Sequence, residues 1–203
     1  MHTQTAKLVA RIAENLPNIT DDVMQAWIED PKGLQRFLAG LCPPKEVENI
    51  LAPYRQLTVG PLTDSFNPHV VFQTRKGLWV SPQFTNRILS VVRDVAKRES
   101  ATSLQSFTLV KDALDTQIRA GLPENHLVEP WQIAALITKQ PKGEEGDLLT
   151  NGYANLFYVK GKAEQVFVVH VHWFAGNREW YVNAWKLVEN DRWYSGHRLF
   201  SCN

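Results

Sequence analysis

The sequence predicts an α+β fold, with an N-terminal helical unit followed by an α+β region that ends in an antiparallel β-sheet. Three observations carry that reading. Apolar residues recur at helical spacing through the first 57 positions. The last third holds three runs of β-branched and aromatic residues joined by short turns. Between them helix and strand patterns alternate with no repeat, no low-complexity tract and no long linker. A chain of 203 residues suits one ordinary domain, or one domain with a small appendage. The boundaries are therefore expected at 1–57 for the helical unit and 58–203 for the α+β domain, with its terminal sheet over 155–201.

The helical unit begins with "TQTAKLVARIAENL", which lines up Leu8, Val9, Ile12, Ala13 and Leu16 before Pro17 stops it. "TDDVMQAWIED" follows with acidic residues in its first turn, where the helix dipole favours them. Asp30-Pro31 then supplies an N-cap and an N1 proline for "PKGLQRFLAGL". "PKEVENILAPYRQL" reads as a fourth helix, although Pro53 crosses it.

Beyond residue 57, two apolar runs flank Arg75-Lys76-Gly77 and suggest a hairpin. Ser81-Pro82 is an N-cap and first turn for "PQFTNRILSVVRDVAKR", whose outer face would carry Arg87, Arg93, Lys97 and Arg98. A strand "LQSFTLV", a helix "KDALDTQIRAGL" closed by Gly121, and a helix "PWQIAALITKQ" opened by Glu129-Pro130 come next. In the terminal sheet "ANLFYVK", "EQVFVVHVHWF" and "EWYVNAWKL" are strands, and "RWYSGHRLFS" leads to a closing one. A two-residue turn at Gly176-Asn177, with positive φ at the glycine, sets the register by counting outward. Trp173 then faces Trp180, His172 faces Tyr181 and His170 faces Asn183. Alternation puts Phe167, Val169, Val171, Trp173, Trp180, Val182 and Ala184 on the core side. His170, His172, Tyr181, Asn183 and Trp185 lie on the other.

The chain also resembles a group of uncharacterised bacterial proteins from environmental and candidate-phylum genomes. The resemblance rests on "DDVMQAWIEDPKGLQRFLAGLCPP", "SFNPHVVFQTRKGLWV", "TKQPKGEEGDLLTNGYANLFYV" and the closing "REWYVNAWKL" and "DRWYSGHRLFS" blocks. It implies no activity and assigns no site residue. It does imply a mosaic, a shared helical N-terminal piece before varying C-terminal parts, and so an accessory or adaptor role.

Composition narrows the function classes. A formal net charge of +1 gives no field to gather nucleic acid or anionic lipid. Residues 61–104 carry six basic and three acidic side chains, and residues 105–150 four and seven, which suits two differently solvated surfaces. The two cysteines, Cys42 and Cys202, form no disulfide framework and no zinc-ligand spacing. No signal-peptide core or membrane-spanning run is present, so a cytoplasmic protein away from the membrane is expected. The loop at 141–153 lacks the Gly-Lys-Ser/Thr ending of a phosphate loop, and no Gly-x-Ser-x-Gly elbow exists. No cofactor is implied.

Three readings of function remain. Twelve of the 21 aromatic residues lie in the last 51 positions, more than one core face needs. Tyr181, Trp185, Tyr158, Trp193 and Tyr194 are candidates for an exposed platform, which makes non-catalytic binding of a protein partner the expected function. The competing possibility is that helices cover that face, making its aromatics a second core layer. Exposure of Trp185 separates the two. The main rival function is a zinc-dependent hydrolase centred on His170 and His172, which project from one strand face and still need a third ligand. Nucleic-acid binding through Arg87, Arg93, Lys97 and Arg98 ranks below both.

Overall fold

A computed structural model describes residues 7, 14, 20–33, 49–187 and 191–202. The chain divides into two compact units, Met1–Glu48 and Asn49–Asn203. In the first unit, helix α1 (Asp21–Glu29) carries Asp21 and Asp22 in its first turn as its sequence predicts. Asp30 Oδ1 accepts the Gly33 amide at 2.8 Å and so caps the next helical start, as expected. Most of the helices expected over 3–16 and 31–41 lies outside the described residues, as does Cys42.

The second unit is built on one seven-stranded sheet. Its strands are β1 (Leu51–Val59), β2 (Leu78–Val80), β3 (Thr102–Leu109), β5 (Asn155–Lys160), β6 (Val166–Phe174), β7 (Glu179–Lys186) and β9 (Arg198–Cys202), in the order β1-β3-β9-β5-β6-β7-β2. A separate ribbon pairs β4 (Ala113–Leu114) with β8 (Arg192–Trp193). The sheet is mixed, because β9 runs parallel to β5 and β2 runs parallel to β7. That corrects the antiparallel expectation. The closing strand inserts between β3 and β5, where Arg198, Leu199, Phe200 and Ser201 are all buried. A strand apolar on both faces belongs inside a sheet, not at its edge.

The expected boundary at 57/58 also moves. Residues 51–57 are strand, paired antiparallel with β3. Pro53, which a helix interior would not tolerate, sits beside a register shift of this edge strand, where a missing N–H does no harm.

Helices pack on both faces of the sheet. On the first face, helix α2 (Pro68–Val71) is short. Helix α3 (Pro82–Phe84) starts at Ser81, whose hydroxyl accepts the Phe84 amide at 3.0 Å, and it widens into a π-helical turn over Thr85–Leu89. Helix α5 (Pro130–Lys139) buries Trp131, Ile133, Leu136 and Ile137. These side chains join Phe157, Val169, Val171, Trp173, Trp180, Val182 and Phe200 in the larger core. Helix α4 (Asp115–Ala120) lies on the second face, with a smaller core on Leu109, Leu156, Tyr158, Val168 and Leu199. Tyr158 is fully buried there and donates to Asp115 Oδ1 at 2.8 Å. It therefore drops out of the expected exposed platform.

The helix expected over 82–98 ends at Leu89. Past that point the chain bonds to residues 62–66 through the bridges Leu62–Arg98 and Phe66–Val95. Val91, Val92 and Val95 imitate a helical stripe, but β-branched residues accept extended backbone readily, and tertiary pairing prevails.

The register of β6 and β7 agrees with the count from the sequence at every position named. The turn does not. Ala175 to Arg178 form a four-residue loop in which the Arg178 amide donates to the Phe174 carbonyl at 2.9 Å. The left-handed residue is Arg178, at φ 57°, and Gly176 has no positive φ. Adding one residue to each side of a turn leaves the pairing unchanged. Arg178→Gly should therefore raise stability, since relief of left-handed strain of about 1–2 kcal/mol exceeds the added chain entropy of about 0.4–1 kcal/mol. A higher urea midpoint at unchanged slope checks this.

Candidate functional site

Residues at alternate positions of β6 and β7 share a face, and on the second face of the sheet this places His170, His172 and Phe174 beside Tyr181, Asn183 and Trp185. Because β2 pairs with β7 and sets Trp79 against Tyr181, Trp79 joins them. The ribbon strand β8 brings Trp193 from the other side. The rings form a connected chain. Trp79 lies 4.9 Å from Tyr181, Tyr181 lies 5.2 Å from His172, and His172 lies 5.0 Å from His170. His170 stacks at 6.4 Å on Trp193, which meets His197 edge-on at 5.9 Å. Phe174 closes on Tyr181 at 5.4 Å.

This strip runs for about 20 Å along the strands, six residues at about 3.4 Å each. Its solvent-facing members are Trp185 at 52% exposure and Phe174 at 46%, and Tyr194, just past β8, is exposed as well. Trp185 is thus not part of a second core layer. The second face is therefore divided, with a small core at Tyr158 and Val168 and an open stretch at Trp185 and Phe174.

The polar groups of the strip are neutral ones. Burial, with His172 and His197 close by, pushes the His170 imidazole down to about 4. Burial also lowers His172 and His197. His197 Nδ1 accepts the Ala154 amide at 3.0 Å, which leaves its proton on Nε2. Asn183 Oδ1 accepts the Ser81 hydroxyl at 2.6 Å, which ties β7 to the start of α3. The Tyr181 hydroxyl receives the Asn177 amide at 2.9 Å. His172 Nδ1 is buried and has no hydrogen-bond partner among the described residues.

All five residues expected on this face are brought together there. Trp79, Phe174, Trp193 and His197 complete it; of these the sequence offers Trp193 as a platform residue and His197 as one that approaches if the chain end folds back. Period-two alternation in "GLWV" marks Trp79 as the odd residue between Leu78 and Val80. The pairing that carries it to Tyr181 is long-range and leaves no local trace.

The four basic residues do not form one surface, although Arg93 and Arg98 line the same cleft. Arg87 donates to the Ala184 carbonyl. Arg98 holds the Glu129 carboxylate at 3.1 and 3.2 Å and lies 5.8 Å over the Trp131 ring. Arg93 lines that open cleft, of about 610 Å³, and Lys97 is exposed. They share no helix face, because that helix ends before three of them.

Among the described residues, no group of three His, Cys, Asp or Glu side chains is placed to hold a metal ion. His197 approaches His170 without completing a ligand set. No helix among the described residues is long and apolar enough to cross a membrane. No protein-family model, curated protein or solved structure matches this chain.

Proposed function

We propose that this protein is a non-catalytic binding protein, and that it meets a protein partner through the aromatic and imidazole strip on the second face of its sheet. The observation that carries this is the unbroken ring chain from Trp79 to His197, with the exposed Phe174 and Trp185 on the same face. Tryptophan and tyrosine are the side chains that most often dominate binding energy, since each buries a large area at small entropic cost. The strip lacks an ion-ligating or nucleophilic constellation, and its imidazoles stay uncharged near neutral pH.

A photo-crosslinking residue at Trp185, compared with one at the exposed Val70, should capture a partner from Trp185 alone. With that partner purified, Trp185→Ala should weaken binding about 30-fold, the roughly 2 kcal/mol of an interface hot spot. Thermal stability should move by no more than about 0.5 kcal/mol, as for an exposed side chain. Equal capture from both positions, or full affinity in the variant, rejects the strip as the interface.

The zinc-hydrolase reading keeps one observation in its favour, the two imidazoles 5.0 Å apart with His172 Nδ1 unpartnered. Stoichiometric zinc in the purified protein, lost on His170→Ala, would restore it over the binding reading.

A further inference from the structure

Away from the aromatic strip, three cations gather around Asp147, two at its carboxylate and one at its backbone carbonyl. Arg198 opens β9 and is only 8% exposed. Its guanidinium lies 3.8 Å from the centre of the Tyr54 ring, and Nη1 donates to the Asp147 carbonyl at 3.0 Å. Its Nε is buried and has no hydrogen-bond partner among the described residues. Arg55, on β1, sits 5.4 Å from the same ring and meets Asp147 Oδ1 at 3.3 Å. Lys139, in the last turn of α5, reaches Asp147 Oδ2 at 4.0 Å and the Thr58 carbonyl at 3.1 Å. The nearby Glu144 turns its carboxylate back onto the Lys142 amide and takes no part.

Three cationic groups thus meet one carboxylate among the described residues, with Arg55 and Lys139 half open to solvent. Like charges at this separation repel, and a buried donor without an acceptor is rare in a folded protein. Both features call for an anion. We propose that Arg55, Lys139 and Arg198 form a binding site for a dianionic tetrahedral oxyanion, a phosphate group being the natural one. Guanidinium forks match the edge of such an oxyanion with two parallel N–H donors, and the lysine adds a point charge. The carboxylate of Asp147 is the resident anion and competes for Arg55 and Lys139. Tyr54, half exposed, roofs the arginine, so its ring must turn aside before an oxygen reaches Nε.

The test is calorimetric titration of the full-length protein with inorganic phosphate, at an ionic strength held constant with potassium chloride. Saturable binding at one site is expected, with sulfate competing. Arg55→Gln and Lys139→Gln, both at half-exposed side chains, should each weaken it about tenfold, equivalent to about 1.4 kcal/mol. Asp147→Asn should tighten it, since it removes the competing charge, and Arg178→Gln should leave it unchanged. A cluster that only braces the fold gives a different pattern, in which Asp147→Asn melts earlier and phosphate affinity follows none of the substitutions. Absence of saturable phosphate uptake, affinity indifferent to both Arg55→Gln and Lys139→Gln, or weakening by Asp147→Asn each overturns the proposal.

Discussion

Replacing Trp180 by alanine is expected to destabilise the protein by about 3–5 kcal/mol, the range for emptying a large aromatic site in a core. The side chain is fully buried and packs against Trp173 with ring centres 5.4 Å apart. An aromatic pair of this kind contributes about 0.5–1.5 kcal/mol beyond the area it buries. Its indole N–H also donates to the Gln140 carbonyl at 2.7 Å, at the end of α5. Gln140 in turn uses its side chain to hold Glu144 and Leu148, so the loop after α5 depends on the same anchor. In that loop Gly143 lies against the Trp173 indole, where a Cβ would collide with the ring. Losing Trp180 thus loosens the sheet, the helix end and the loop together. His172→Ala, one strand over on the opposite face, should cost less than half as much, because His172 is partly exposed and its Nδ1 makes no bond to lose. Urea melts of both variants check the order. A mild Trp180→Ala beside a severe His172→Ala would mean the two faces carry their load the other way round.

The contrast between those two residues was legible in the sequence, and the reason is local. Strict alternation through "VFVVHVHWF" and "EWYVNAW" assigns each side chain a face, and a symmetric turn preserves the pairing whatever its length. Hence the register of β6 and β7 can be counted even though the loop holds four residues and not two. The start of α3 at Ser81 and that of α5 at Pro130 were equally local, each written in a cap residue and a proline.

What escaped was decided between distant segments. Nothing in "RLFSC" says that it pairs parallel with β5 and antiparallel with β3. Nothing local in "LAPYRQLTV" announces an edge strand, except that Pro53 argues against a helix and Leu57 and Val59 alternate. Val91, Val92 and Val95 carry helical spacing, yet their segment bonds to residues 62–66. The same limit applied to the candidate strip. His170, His172, Tyr181, Asn183 and Trp185 come from one hairpin and were found by counting. Trp79 and His197 arrive through β2 and the segment after β8, so only the folded chain shows that the ring chain continues past the hairpin. The arginine and lysine cluster around Asp147 was invisible for the same reason, its four members coming from β1, α5, a loop and β9.

Acid should weaken the fold through His170, and the sign follows from the direction of its shift. The imidazole is pushed down to about 4 by burial and by its two histidine neighbours, against about 6.5 in an unfolded chain. A depressed histidine binds its proton more weakly in the folded state, so the unfolded state holds more protons between those two values. Stability on this account is fully present above about pH 6.5 and is lost as the pH falls through the window toward about 4. At about 1.4 kcal/mol per pH unit, the loss by pH 4.5 is roughly 2–3 kcal/mol, an upper figure because His170 keeps some contact with water. The lowered His172 and His197 add to it in the same direction. The physical event is the appearance of positive charge between His172, Trp193 and the sheet, where no carboxylate among the described residues pairs with the imidazole. His170→Phe keeps an aromatic ring in the stack and removes the proton site. Its urea midpoint should therefore fall less than that of the unsubstituted protein between pH 7 and pH 4.5, with other titrating groups common to both. Parallel decline of the two proteins over that range would show that His170 is no more hindered from protonation than a histidine in water.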